Sequence, residues 1–153
     1  MTGARAVVIG VGNEYRHDDG IGPFIALCIE KYCLPDVFVT ISDGEPTGLI
    51  DNWSDASLAV VIDAALCEPS TPGRVRRNDI ELLTHSSATS THASGIPDAW
   101  SLGCALGRIP DKLVVFSVEA SCFDYGVGLS AQVAAAVPQT IEAVLAELKS
   151  AQP

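Results

Sequence analysis

The sequence predicts a single-domain α/β fold over residues 1–153, with a mainly parallel, twisted sheet of about five strands and helices on both faces. Three observations predict it. Apolar runs of strand length, Ala6 to Ile9, Leu58 to Ile62 and Leu113 to Val118, are continuous rather than alternating, as strands covered on both faces must be. Segments with helical spacing separate these runs. Acids or glycines follow several of them, where a parallel sheet turns back towards its next helix.

Taken in order, Ala6 to Ile9 is closed by Gly10-Val11-Gly12 and forms the first strand. A helix follows at about Asp19 to Tyr32, because Ile21, Phe24, Ile25, Cys28, Ile29 and Tyr32 recur on one face and Pro23 falls within the first turns. Val37 to Ile41 is a second strand running into Asp43, Pro46 to Trp53 a short helix, and Leu58 to Ile62 a third strand ending at Asp63. Gly73 to Leu83 mixes Val75, Ile80 and Leu82 with Arg74, Arg76 and Arg77, the pattern of an edge strand whose charges discourage further pairing. The stretch HSSATSTHASG, 85–95, is too polar to pack and is expected as a surface loop before a helix over Ile96 to Leu106. After the strand at Leu113 to Val118, Ser130 to Lys149 reads as one amphipathic helix, N-capped by Ser130, with Val133, Val137, Ile141, Val144 and Leu148 inward. Pro138 should bend or interrupt it.

Composition narrows the function. Hydrophobic residues at 48% and charged residues at 18% suit a compact body rather than a disordered chain. Nine Lys and Arg against nineteen Asp and Glu give a net charge of -10, which repels nucleic-acid phosphates and anionic membrane surfaces. No stretch approaches the ~20 apolar residues of a membrane span, and MTGARAVVIGVG enters a strand pattern directly, so a cytoplasmic protein is expected. Cys28, Cys33, Cys67, Cys104 and Cys122 form an odd set without a CxxC pair, which reads as buried, reduced thiols.

The ligand site of such a sheet lies beyond the carboxyl ends of its strands. Asp18 and Asp19, Asp43 and Asp63 all fall there. An acid placed directly after LAVVI is costly unless it is solvated, hydrogen-bonded or bound to a cation, so Asp63 reads as a turn or cap residue or as a cation ligand. Gly10-Val11-Gly12 does not complete a dinucleotide fingerprint, because its third glycine position holds Tyr15. His92 in the polar loop, with His17 as a competitor beside the acidic pair, would complete a mixed nitrogen and oxygen site suited to nickel or zinc. Cys67 and Ser121-Cys122 lack a nucleophile elbow or an evident partner histidine.

The stretch GVGNEYRHDDGIGP, 10–23, resembles the opening signature of the hydrogenase maturation proteases. Further blocks are similar in family order: DGEPTGLID at 43–51, VVIDAA at 60–65, THASG at 91–95, then KLVVFSVEA at 112–120 and GLSAQV at 128–133. The resemblance spans nearly the whole chain and implies a twisted sheet between helices. It also implies an endopeptidase that removes the C-terminal extension from the nickel-loaded large-subunit precursor of a nickel-iron hydrogenase. Matched by position, Asp19, Asp63 and His92 are the residues implied to meet the metal and to serve catalysis, while Asp18, Asp43, Gly10, Gly12 and Asn13 shape the substrate cleft. The implied nickel arrives with the substrate rather than residing in the enzyme, and water attack assisted by a carboxylate is the expected chemistry.

Two positions depart from the family pattern. Relatives often carry Glu where Asp19 stands, one methylene longer, which brings Asp18 into consideration for the same role. Glu45-Pro46 replaces a glycine and a small or polar residue, implying a different hydrogenase partner. A chaperone of the same fold, binding the metalloprotein without cutting it, is the rival reading, and a self-sufficient metallohydrolase of small peptides a second.

Overall fold

The computed structural model describes residues 6–67, 69–80 and 95–150. Five strands form its sheet: β1 (Ala6–Val11), β2 (Val37–Ser42), β3 (Leu58–Ala65), β4 (Val75–Asp79) and β5 (Lys112–Glu119). The order across the sheet is β2-β1-β3-β5-β4. Four strands run parallel, and β4 is an antiparallel edge on β5. Every residue of β1 and β3 is buried, which is why both read as unbroken apolar runs.

Helices cover both faces. One face packs α1 (Ile21–Glu30) and α5 (Val137–Ser150) through Ile21, Ile25, Ile29, Val144 and Leu148 onto Val8, Val60, Ile62 and Val114. The other packs α2 (Pro46–Trp53) and α3 (Ile96–Leu106) through Leu49, Ile50, Trp53, Ile96 and Ala99 onto Val7, Ile9, Val61 and Val115. Trp53 also meets Trp100 edge-on, with ring centroids 6.4 Å apart. Among the described residues no helix is long and apolar enough to cross a membrane.

Several boundaries differ from the sequence reading for identifiable reasons. A separate 3₁₀ turn, His17–Gly20, precedes α1, and His17 has a φ of 46°. The C-terminal helix is two pieces, α4 (Ala131–Ala135) and α5, because Pro138 falls at the second residue of α5, where it owes no intrahelical donor. Ser130 occupies the N-cap position of α4 but makes no side-chain cap bond; its hydroxyl donates to Asp18 instead. Asp63 does not end the third strand: β3 continues two residues beyond it, paired with β5 through Ala65 and Glu119.

The expectation of buried cysteines is corrected outright. All five are free, and none is buried, Cys33 and Cys104 being exposed and the rest intermediate. On β4 the arginines carry specific partners as well as guarding an edge. Arg76 Nε lies 3.3 Å from the buried Glu119 carboxylate, and Arg77 makes a two-pronged contact of 2.7 and 3.2 Å with Glu147.

Candidate active site

Strand order reverses between β1 and β3, since the chain leaves β1 towards β2 on one side and returns through β3 on the other. A crevice opens at such a switch point beyond the strand ends. The β1–β3 ladder stops at Gly10 and Ile62, so Asp63 is the first residue of β3 past its pairing with β1. Its side chain projects to the α2 and α3 face, in alternation with Ile62 and Ala64 on the opposite core. Asp63 is 2% exposed, and its Oδ1 accepts from the Ala64 amide at 2.9 Å.

The loop after β1 is built around close backbone approaches. Gly12 has a φ of 144°, and a Cβ there would collide with the Asp19 carbonyl oxygen. A Cβ on Gly22 would strike the carbonyl oxygens of Val11 and Ile62, so this glycine lets the start of α1 sit directly on the strand ends next to Asp63. Gly10 lies beneath, against Gly22 and Ala26. Asn13 orders the turn: its Oδ1 accepts from Tyr15 N at 2.9 Å, and its own amide donates to Asp19 Oδ2 at 3.0 Å.

The adjacent acids have opposite fates. Asp18 is fully buried, and its carboxylate accepts from the amides of Ser121 (2.8 Å), Cys122 (3.2 Å) and Ser130 (2.7 Å) and from the Ser130 hydroxyl (2.9 Å). It ties the first loop to the segment after β5. Asp19 is partly exposed, held by the Asn13 amide. His17 is committed elsewhere: Nδ1 meets Gly128 O at 3.0 Å, and the ring lies against Gly126.

A cleft of about 750 Å³ runs between this loop, the end of β2 and α2. Gly12, Asn13 and Asp43 line it, whereas Gly10, Asp18, Asp19 and Asp63 do not. Tyr15, Leu27 and Ile41 add exposed apolar walls; the sequence reading placed Ile41 at the end of the second strand and Tyr15 where a third glycine would stand, and did not single out Leu27. Asp51 in the cleft is paired with Arg108 at 2.9 Å. Among the described residues no cation pairs with Glu14 or Asp43.

Glu45, one of the departures from the family pattern, has a local task. It caps α2, accepting from the amides of Thr47 (3.2 Å) and Gly48 (3.0 Å), with Pro46 as the first helical residue. The Thr47 hydroxyl first, and then those amide bonds, hold its carboxyl below the usual carboxylate range. The spacing Glu-Pro-Thr-Gly carried that signal in the sequence.

His92 lies outside the described residues, as do residues 85–94 of the polar loop it belongs to. Among the described residues no group of three or more His, Cys, Asp or Glu side chains is placed to hold a metal ion. Asp19 and Asp63 stand at the ends of the first loop and of the β1–β3 ladder, at the same end of the sheet.

The fold and sequence have close counterparts. A family model described as HycI, hydrogenase maturation protease, matches residues 24–147. The hydrogenase 2 maturation protease of Escherichia coli is 30% identical over 150 residues, covering 95% of this chain and 91% of that protein. The structure of the hydrogenase maturating endopeptidase HybD from E. coli superposes with a TM-score of 0.80 at 29% identity, over 95% of this chain and 93% of that one. HybD from Thermococcus kodakarensis, described as a nickel-iron hydrogenase maturation protease, gives 0.72 at 25% identity over 97% and 99%. The chain therefore belongs to the hydrogenase maturation protease family and is an endopeptidase, a hydrolase of peptide bonds.

Proposed function

We propose that this endopeptidase removes the C-terminal extension of a nickel-iron hydrogenase large-subunit precursor, and that nickel already seated in the precursor is what it recognises. Asp19, Asp63 and His92 supply the contacts to that metal. The observation that carries the reading is the position of Asp63, a carboxylate only 2% exposed at the first β3 residue beyond the β1 ladder, where ligands of open α/β sheets bind. Asp19 adds a second carboxylate, presented by the loop that the same ladder ends in.

The family resemblance of THASG, 91–95, supports His92 as the third group. Two carboxylates and an imidazole form a donor set for a divalent transition metal and leave coordination positions for a metal that comes with its own ligands.

Binding the nickel orients the precursor so that its scissile bond lies beside the carboxylates, and the enzyme spends binding energy only on finished substrate. A carboxylate then takes a proton from water as the water oxygen attacks the scissile carbonyl, and returns it to the departing amine. Incubating the chain with nickel-loaded and nickel-free precursor, and weighing the products, tests this. Loss of the tail from the loaded form alone is expected. Equal cutting of both forms would remove nickel as the recognition element, and an unchanged mass in both would leave binding without cleavage.

A further inference from the structure

The two edges of the sheet are guarded very differently. On β4 the residues Arg76, Arg77 and Asp79 charge the edge, and the neighbouring Arg74 joins them. β2, the opposite edge, reads Val-Phe-Val-Thr-Ile-Ser without a charge, and Phe38 and Ile41 are exposed on it. Natural sheets blunt such edges with lysine, proline, bulges or covering chain, because an open row of amides and carbonyls templates another strand. Among the described residues no backbone group bonds to the outer side of β2.

The direction of its free groups is fixed. Ala6 N donates to Asp36 O and Gly12 N to Ser42 O, so even-numbered positions face β1, and alternation turns the amides and carbonyls of Val37, Val39 and Ile41 outward. This open edge is also continuous with the cleft, whose wall includes Thr40, Ile41, Ser42 and Asp43. At the junction Glu14 and Asp43 present carboxylates that no described cation neutralises, on a chain with net charge -10.

We infer that the free edge of β2 is the docking strand for the precursor's tail, which adds to the sheet in extended form and delivers a cationic side chain into the cleft between Glu14 and Asp43. The inference rests on the proposed function, since it names the surface that receives that substrate. Backbone pairing supplies affinity without demanding a particular sequence, while Ile41 and Leu27 on the α1 side, and Phe38 on the opposite face of the sheet, offer apolar contacts to the added strand.

Val39→Pro removes an outward amide without touching the ladder to β1, and Val39→Ala trims the same side chain while keeping the amide. With nickel-loaded precursor, kcat/KM of Val39→Pro should fall at least about tenfold, mainly through KM, while Val39→Ala stays within about twofold. Hydrogen exchange on the unaltered chain gives an answer even if Val39→Pro fails to fold. Segment 37–42 should exchange at least about tenfold more slowly with excess nickel-loaded precursor present, and segment 75–79 should not change. If the unaltered chain cuts the precursor yet neither measurement moves, the edge assignment fails and the protease reading stands. Protection of 37–42 that grows with enzyme concentration alone would make the edge a self-association surface and overturn the assignment. Failure of the unaltered chain to cut at all removes the reading on which the assignment rests, and the assignment with it.

Discussion

Replacing Asp18 should destabilise the fold in two graded steps. Its Oδ2 accepts from the Ser121 and Cys122 amides and the Ser130 hydroxyl, and its Oδ1 from the Ser130 amide. In Asp18→Asn a correctly turned amide keeps the three bonds of Oδ2 but sets its own NH₂ against the Ser130 amide. A hydrogen bond to a charged group contributes about 1.5–3 kcal/mol, so this single loss should cost roughly 2 kcal/mol. Asp18→Ala loses all four bonds, but Ser121 is exposed and Cys122 and Ser130 are partly exposed, so water recovers part of the loss. A net cost of about 4 kcal/mol follows. For a domain of this size 1 kcal/mol moves Tm by about 2–4 °C, so Asn should melt about 4–8 °C and Ala about 8–16 °C below the unaltered chain. Thermal unfolding followed by circular dichroism reads both steps. Because Asp18 is fully buried and its carboxylate is bonded to the 121–130 segment, Asp18→Asn should still process precursor well below its Tm. An Asp18→Ala chain melting within about 2 °C of the parent, or a stable Asp18→Asn chain unable to cut, would refute the reasoning.

Other outcomes follow from the same geometry. The Glu147 carboxyl is held below its usual range, first by the Arg77 hydrogen bonds and then by that charge and Lys112. Its contribution is therefore present above the unfolded value of about 4.3 and lost as pH falls through the lowered folded value. Glu147→Gln should cost about 1 kcal/mol at pH 7, modest because Arg77 is 41% exposed, and nothing once both states are protonated in strong acid; urea midpoints at the two pH values check it. Gly22→Ala should cost upwards of about 3 kcal/mol, since the new Cβ meets backbone on both β1 and β3, and a parent-like urea midpoint would show that the strand ends can yield. Elemental analysis of the chain purified without precursor should find no stoichiometric nickel or zinc, and a metal that dialysis against chelator cannot remove would count against a substrate-borne ion.

The interior of the fold was legible because parallel strands covered on both faces write themselves as unbroken apolar runs, and β1 and β3 are such strands. Their ends were less so. The apolar run stops at Ile62, but the strand does not, because the ladder to β5 carries Asp63 through Ala65 regardless of side-chain polarity. The acidic pair was legible as a feature and not as two roles. Nothing local distinguishes Asp18 from Asp19; what buries Asp18 is a set of amides more than a hundred residues downstream. The cysteines misled for a related reason, since an apolar neighbourhood in sequence does not say which way a helix turns: Cys104 points outward from α3, and Cys33 follows the end of α1 at a φ of 49°. The family resemblance named Asp19, Asp63 and His92 together, and sheet topology accounts for why the two aspartates approach one corner.

Processing of nickel-loaded precursor by Asp19→Asn, Asp63→Asn and His92→Ala, each first shown to melt near the parent temperature, tests the proposed site most directly. Mass spectrometry of the large subunit should show the tail retained by all three variants and lost with the unaltered chain. Tail removal at the parent rate by folded Asp63→Asn and His92→Ala would contradict the account, because the metal would then be met by other residues.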